Sequence, residues 1–568
     1  VPHLWEEYGE GMFEHLLGQF AFALWDARQD RLILARDRMG ICPLFYTVRR
    51  GPGGEDLLLF ASEVKALLAS GMVPARPDIG GLNHVFSFFA VPGPLTCFEG
   101  VQCLLPGRYL RLALDGSQPL PLGTGRPYWQ IEYPDWGSER DPAGNPGRVV
   151  DEFERLLLAA VDRRLRADVP VVSYLSGGVD SSMVVALASK VLGRPIPTFT
   201  ISVQAEGLNE ESEAAQVARF VGSEPVVVRC GHDQIRDTYP ELIEAAEAPV
   251  IDTSCAALLM LARSVRGHGF KVALTGEGAD EWLAGYPWFK VHRLLGALDF
   301  VPGLNLSMAV RRLGLWLTRQ PRFPASQIRR AQEAVGGHNG WLDIYGLMGL
   351  SKLRFFHPDV KAKLEGRVPY EELELNPDLR RWHPFHRSLY LGTRVMLSGH
   401  LLSSKGDRVA MHSSVETRYP FLDERVLAFV AGLHPRWKLR RLFHDKYLLR
   451  QLAKRWLPKE IAARRKAMFR APLDSFHLTP ADGGSPAPWI EQVLSPESLR
   501  KTGYFDAEAV RHWRAALPRM RRSLQRISVE MGLVAVTAAQ LWHHLYISGD
   551  LAEIPSVVGR LQRAEVAA

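Results

Sequence analysis

The chain runs to 568 residues, 46% of them apolar and 23% charged, so roughly two or three cores are expected in an ordinary globular protein. No apolar run approaches the ~18 residues of a membrane span, and the acidic stretch from Val1 to Phe13 lacks a signal-peptide core, so no membrane partner and a cytoplasmic setting are expected. The net charge of +7 is scattered over short clusters (Arg380-Arg381, Arg464-Arg465-Lys466, Arg519 to Arg526) among leucines and tryptophans, the pattern of solvated helix faces and not of a nucleic-acid surface.

Antiparallel strands come first in the chain. Phe20 to Trp25 and Leu32 to Ala35 flank a polar turn, Asp26 to Asp30. Leu44 to Val48 and Leu57 to Ala61 flank Gly51-Pro52-Gly53-Gly54, a strong hairpin signal. Further strand is expected around Tyr109 to Leu114. Tyr133 to Gly147, rich in Pro, Gly and charge, reads as a linker. A helix follows, with Val150, Phe153, Leu157, Val161 and Leu165 at three- and four-residue spacing. Strands and helices then alternate, with strands at Val171–Leu175, Pro197–Val203, Pro225–Arg229 and Lys271–Leu274, which predicts a parallel sheet covered on both faces. Beyond Gly285 the pattern is helical to about Ile547, and region 287–400 carries no readable motif. The five cysteines, at 42, 97, 103, 230 and 255, form no CxxC pair, as expected of reduced thiols.

One heptapeptide organises this pattern: Ser176-Gly177-Gly178-Val179-Asp180-Ser181-Ser182, between a β-branched run and a helix-like stretch, Met183 to Val191. Strand, glycine loop and helix together bring backbone N–H groups and a helix dipole to a phosphate. Ser181 suits both an N-cap and a hydroxyl donor. No lysine follows the glycines, which excludes the common kinase and GTPase loop. A carboxylate, Asp180, beside a triphosphate calls for a divalent cation between them. A second acidic turn, Thr275-Gly276-Glu277-Gly278-Ala279-Asp280-Glu281, follows the strand ending at Leu274, at the edge where open α/β sheets bind ligands. Asp180 and Asp280 could share Mg²⁺ there.

The heptapeptide resembles the pyrophosphate loop of ATP pyrophosphatases. With Thr198-Phe199-Thr200-Ile201, Gly285-Tyr286, Asp407-Arg408-Val409-Ala410-Met411, Glu416-Thr417-Arg418-Tyr419-Pro420-Phe421-Leu422-Asp423 and Lys446-Tyr447-Leu448-Leu449-Arg450 in order, the chain resembles the asparagine synthetases. Phe20-Ala21-Phe22, Arg36-Asp37, Pro43-Leu44-Phe45-Tyr46 and Ala61 to Leu67 resemble the later part of a class II glutamine amidotransferase domain. The resemblance implies a truncated antiparallel Ntn-type α+β domain (1–132), a linker (133–147), a parallel-sheet ATP-pyrophosphatase domain with a helical C-terminal region (148–547), and a tail (548–568).

It also implies ATP and Mg²⁺, with aspartate and ammonia or glutamine as the other small-molecule substrates, and leaves room for a homodimer. By resemblance, Ser176, Gly177, Gly178, Asp180, Ser181 and Ser182 hold the pyrophosphate of ATP. Leu175, Ile201, Thr275 and Gly276 line the adenine and ribose pocket, and Asp180 and Asp280 bind the metal. Lys446 stabilises the departing phosphates and Glu277 orients the acyl-adenylate. Glu416 and Arg418 are either substrate contacts or an ion pair that holds Pro420 to Asp423 in place. Trp282 is bulkier than the family's usual residue and bears on the pocket shape.

The family's N-terminal nucleophilic cysteine and glutamine-gripping segments are not among these residues, so ammonia alone is the expected nitrogen source for this chain. A related adenylating enzyme of the β-lactam synthetase or lasso-peptide cyclase type would keep the fold and change the acceptor. A non-catalytic regulatory homologue is disfavoured by the presence of Asp180, Glu277, Asp280 and Lys446 together.

Overall fold

The polar turn after Asp26 folds β1 (Ala21–Asp26) back on β2 (Arg31–Arg36), antiparallel, with Ala21 opposite Arg36. Next to β2 lies β6 (Arg108–Ala113), which pairs with β7 (Arg126–Pro127). The Gly-Pro turn joins β3 (Phe45–Arg50) to β4 (Asp56–Ala61), and the short β5 (Gln102–Cys103) pairs with β3 on its other side. Leu34 of β2, Tyr46 of β3 and Leu112 of β6 meet in one buried cluster, so the two antiparallel sheets share a small core. In this computed structural model the described residues are 1–113, 123–142, 145–205, 208–296, 321, 323–337, 339–464, 470–476, 487–521 and 523–557. Leu114, at the end of the strand expected after Tyr109, lies outside them.

The described residues from 134 to 142 of the Pro- and Gly-rich stretch form no helix or strand, only isolated bridges from Asp135 to Trp382 and from Arg140 to Leu433, but the stretch is held down. Tyr133 is buried and stacks on His386, with ring centroids 4.6 Å apart. Arg140 donates its backbone N–H to Gly432 (2.9 Å) and accepts from His434 (3.0 Å). Asn145 then caps α1 (Pro146–Leu165), its side chain accepting from the N–H of Arg148. The helix buries Val150, Phe153, Leu157 and Val161, the stripe its spacing predicts.

The second sheet contains β8 (Val171–Tyr174), β9 (Thr198–Val203), β10 (Pro225–Cys230), β11 (Val272–Leu274) and β12 (Glu416–Arg418), all parallel, in the order β10-β9-β8-β11-β12. Four of these strands match the sequence reading within two residues at either end. β12 was not read as a strand. Glu416-Thr417-Arg418 carries no strand signature and is recruited by the edge of β11, with Val272 opposite Glu416. Period-two alternation divides the strands between two cores: Val171, Val272 and Leu274 face one, Val172 and Ala273 the other. On these faces pack α2 (Val179–Leu192), α3 (Glu211–Val221), α4 (His232–Ala246) and α5 (Ser254–Gly267). The chain leaves β8 towards β9 and β10, then returns to the far side of β8 with β11. This reversal opens a crevice at the carboxyl ends of β8 and β11.

The described residues of the unreadable region form helices, and a π-helical run follows, Gly392–Leu401 and Ser403–Asp407. That run docks on the antiparallel part. A Cβ on Gly399 would sit 2.8 Å from the Cα of Pro92, so the two backbones touch. Beside it, the buried Glu247 carboxylate accepts from the N–H groups of Val64 (2.9 Å) and Lys65 (2.7 Å) and pairs with Arg408 at 2.5 Å. After β12 come α6 (Tyr447–Trp456) and the mostly buried α7 (Leu524–His543). The described part of the expected tail packs back on α7, with Leu551 buried and its N–H donated to the His544 ring. No helix among the described residues is long and apolar enough to cross a membrane. All five cysteines are unpaired.

Candidate active site

Leu175 follows β8, its N–H on the Phe199 carbonyl (2.9 Å) and its own carbonyl accepting from Thr200 Oγ1 (2.8 Å). The next residues turn sharply because Gly177 takes φ +72, and its missing Cβ would meet the backbone nitrogen of Ala214 at 2.7 Å. Gly178 is extended (ψ 157) and takes the N-cap position, so α2 starts at Val179, four residues before the helix-like stretch read from sequence. Ser181 is therefore not the N-cap. It sits in the first turn, where its Oγ accepts from the N–H of Ser176 (3.2 Å) and lies 3.1 Å from Ser176 Oγ. Ser182 Oγ donates to the Gly178 carbonyl at 2.7 Å. The loop's own hydroxyls hold its shape, and the first N–H groups of a 14-residue helix stand at its mouth.

Across the crevice, Thr275 continues from β11 with its N–H on Arg418 of β12 (2.9 Å), and its Oγ1 accepts from the N–H of Glu277 (3.4 Å). A Cβ on Gly276 would lie 2.8 Å from the Ser181 nitrogen, so the two loops are in contact. Ile201 is buried in β9, one strand away. Lys446 joins the two loops. It is fully buried, and its Nζ lies 2.5 Å from Asp180 Oδ2 and 2.5 Å from Asp280 Oδ1. Its backbone adopts φ +50 at the start of α6, with the N–H on the Leu283 carbonyl (3.1 Å). Gly285 makes room, since a Cβ there would fall 1.8 Å from Asp280 Oδ1 and 2.2 Å from Lys446 Cε.

Two carboxylates on opposite loops, drawn together around one cation, are the donor set a hard divalent ion uses beside phosphates. Asp180 and Asp280 would hold Mg²⁺ here, and the Lys446 ammonium already between them marks the spot as one that requires positive charge. Behind it Glu281 is fully buried and accepts from the Tyr286 hydroxyl. Burial, then the charges of Asp280 and Glu277, push its carboxyl up to about 8.

The remaining sequence assignments divide. Glu416 and Arg418 pair with each other at 2.6 Å, and the Arg418 guanidinium also caps the carbonyls of Arg164 (2.8 Å) and Arg166 (2.7 Å) after α1. The pair forms with Glu416 half exposed, and the two carbonyls that the Arg418 guanidinium also reaches lie at the end of α1. Trp282 turns into the core and stacks on Tyr133, 6.0 Å between centroids. Sequence reasoning missed a polar cluster made by Asp252 before α5, Cys255 within it, and His400 and Lys405 on the π-helical run. Asp252 Oδ2 lies 3.2 Å from His400 Nε2 and 3.0 Å from Lys405 Nζ, and its Oδ1 accepts from Ser254 Oγ at 2.6 Å. Burial alone would raise the Asp252 carboxyl, but Lys405, His400 and Ser254 together hold it far below the usual range. A π-helical run was the available signal, because such runs concentrate at functional sites, but no apolar period announces one.

Residues 152–544 match the family model described as asparagine synthase, and residues 1–129 match that of a glutamine amidotransferase domain. Among curated proteins, amidase chyE of Penicillium rubens is 30% identical over 551 residues, covering 90% of this chain and 77% of the relative. A putative glutamine-hydrolyzing asparagine synthetase of Mycobacterium tuberculosis is 29% identical over 478 residues (83% and 69%). Asparagine synthetase 1 of Bacillus subtilis, also named glutamine-hydrolyzing, is 26% identical over 470 residues (83% and 70%).

Proposed function

We propose, for a chain that belongs to the asparagine synthase family and so to the ATP-dependent amide ligases, that it converts aspartate to asparagine through β-aspartyl-AMP, releasing AMP and pyrophosphate. The observation that carries this reading is the convergence of Asp180, Asp280 and Lys446 at the switch point beside the glycine loop. In it, the N–H groups of the loop and of the first turn of α2 grip the pyrophosphate end of ATP. Leu175, Ile201, Thr275 and Gly276 border the nucleotide. Asp180 and Asp280 hold Mg²⁺, which supplies neutralising charge to the phosphates when bound. Lys446 stabilises charge on the leaving pyrophosphate, where a preorganised cation in a buried site acts most strongly. Glu277, on the same loop as Asp280, orients the acyl-adenylate and takes a proton from the attacking nitrogen.

The nitrogen that attacks the adenylate in this reading is ammonia, supplied free or released from glutamine. A cavity of about 70 Å³ between the two parts, lined by Arg36, Cys103, Phe89, Pro249, Ser398 and His400 among others, supports passage of a small nucleophile. At about 30 Å³ per water it has room for roughly two molecules of that size.

A second reading keeps the chemistry and changes the acceptor. It is favoured by the wider match to a relative named amidase, 90% of this chain against 83% for the two relatives named asparagine synthetase. Incubation with Mg·ATP, ammonium and a panel of carboxylic acids separates the two. AMP release that depends on aspartate supports the first. Release that ignores aspartate and follows another acid moves the protein to the second, and release with no acid in the panel sinks both.

A further inference from the structure

The cluster around Asp252 borders the interdomain cavity through His400. His400 lines the cavity, with its ring edge-on to Phe89 at 5.7 Å between centroids. Its Nε2 faces Asp252 Oδ2, and Asp252 is fixed in turn by Lys405 and by the hydroxyl and N–H of Ser254. Lys405 and Cys255 both feel the charge of Glu277, the adenylate-orienting carboxylate.

The ligand atoms of Asp252, Cys255 and His400 lie within 4.8 Å of one another, a spacing that fits a metal. Two features oppose that use. The Lys405 ammonium is already 3.0 Å from the only carboxylate of the three. Burial, then the charge of Asp252, drives the Cys255 thiol well above its usual range, away from the thiolate a metal needs. What remains is a histidine whose Nε2–H donates to a fixed carboxylate, the arrangement that leaves the other ring nitrogen as a base. The Asp252 carboxylate stands directly behind that ring at the cavity wall, where it favours a proton arriving on the imidazole.

Resting on the amide-ligase reading above, we propose that His400, oriented by Asp252, is the base that deprotonates ammonium as it leaves the cavity for the acyl-adenylate. One N–H bond of NH₄⁺ breaks, its proton goes to the free imidazole nitrogen, and the electron pair stays on nitrogen. The resulting NH₃ attacks the acyl carbon, AMP departs with the electrons of the acyl–oxygen bond, and Glu277 takes the second proton. At neutral pH almost all of this nucleophile is the protonated ion, so a base at the cavity mouth lets the enzyme draw on the abundant species. The groups facing His400 are Asp252, Lys405 and Cys255 on its polar side and the Glu247–Arg408 pair across the cavity.

The test compares wild type with His400→Gln, using Mg·ATP, aspartate and ammonium chloride, from about pH 7 to about pH 9. For wild type, kcat/KM for total ammonium should stay nearly flat. His400→Gln must await free NH₃, so its kcat/KM should rise about tenfold per pH unit and be about 10²-fold below wild type at the low end. Pyrophosphate release with aspartate but no ammonium reports folding and adenylation separately, and should continue in the variant. A variant with that release intact and a wild-type pH slope overturns the assignment of His400 while the ligase reading stands. If His400→Gln loses the release as well, Asp252→Asn carries the test: a steepened slope supports the orienting role, and an unchanged slope overturns it. A wild-type chain that releases no pyrophosphate with any acid overturns the ligase reading itself.

Discussion

Lys446→Met separates charge from volume at the centre of the site. The ammonium is fully buried and lies 2.5 Å from each of two carboxylate oxygens, on side chains only 11% and 13% exposed. Removing one partner of a buried ion pair costs about 3–5 kcal/mol, because the other charge is left in low dielectric. Here one cation serves two like charges, so the upper end, about 5 kcal/mol, is expected. That is a large part of the ~5–15 kcal/mol that holds a domain folded. Urea unfolding in metal-free buffer should show this as a lowered midpoint for the synthetase part. If Asp180 and Asp280 are the metal site, Mg²⁺ should restore about 2.7 kcal/mol of stability in the variant at one hundred times the variant's Kd, and less in wild type, where Lys446 already neutralises the pair. The rate of adenylation should fall by about 10²–10³, the range for losing one preorganised stabilising group, and ATP affinity much less. An unchanged midpoint, no extra response to Mg²⁺ and near-normal turnover would together show that Lys446 serves neither stability nor the chemistry.

How much of this was legible in the sequence follows from which forces set each element. Strands β8, β9 and β11 are short runs buried on both faces and β10 is a β-branched run at the sheet edge, so their own composition announces them. The glycine loop and the acidic turn are legible for a related reason: close packing against Ala214 and Ser181 requires glycine at 177 and 276. β12 was invisible because its pairing comes from the β11 edge and not from its own side chains. Ser181 looked like a cap because serine favours that position, but the extended Gly178 started the helix earlier. The π-helical run was missed because its i→i+5 ladder follows no helical period that apolar spacing can reveal. Its one sequence signal is Gly392, Gly399 and Gly406 at seven-residue intervals. A Cβ at each would strike Trp341 (2.5 Å), Pro92 (2.8 Å) and the Leu401 carbonyl (2.6 Å) respectively. Lys446 was identified by resemblance alone, and nothing in its neighbourhood in sequence announced that a lysine would be buried between two aspartates.

Asp180→Asn and Asp280→Asn should each abolish acceptor-dependent pyrophosphate release with the fold intact, and the double variant should lose no more than the worse single, as groups serving one cation do. Losses that multiply would mean two independent roles. A final expectation concerns pH and the contact between the two parts. Asp407, at the end of the π-helical run, is pushed up to about 7, chiefly by burial, with Asp37 and Glu63 adding to the shift and Arg408 and Arg36 opposing it. Its unfolded value is that of an ordinary aspartate, about 3.9. Between the two values the folded chain binds the proton and the unfolded chain does not, so stability falls as pH rises through this window. Urea midpoints at about pH 5 and about pH 8 should therefore favour the lower pH. In Asp407→Asn, which keeps the shape and cannot ionise, that preference should shrink because the variant is stabilised at the higher pH. An equal pH difference in wild type and variant would show that Asp407 is solvated in the folded chain and that the coupling lies elsewhere, with Asp37 the next group to replace: its buried carboxylate accepts three backbone N–H groups on the facing side.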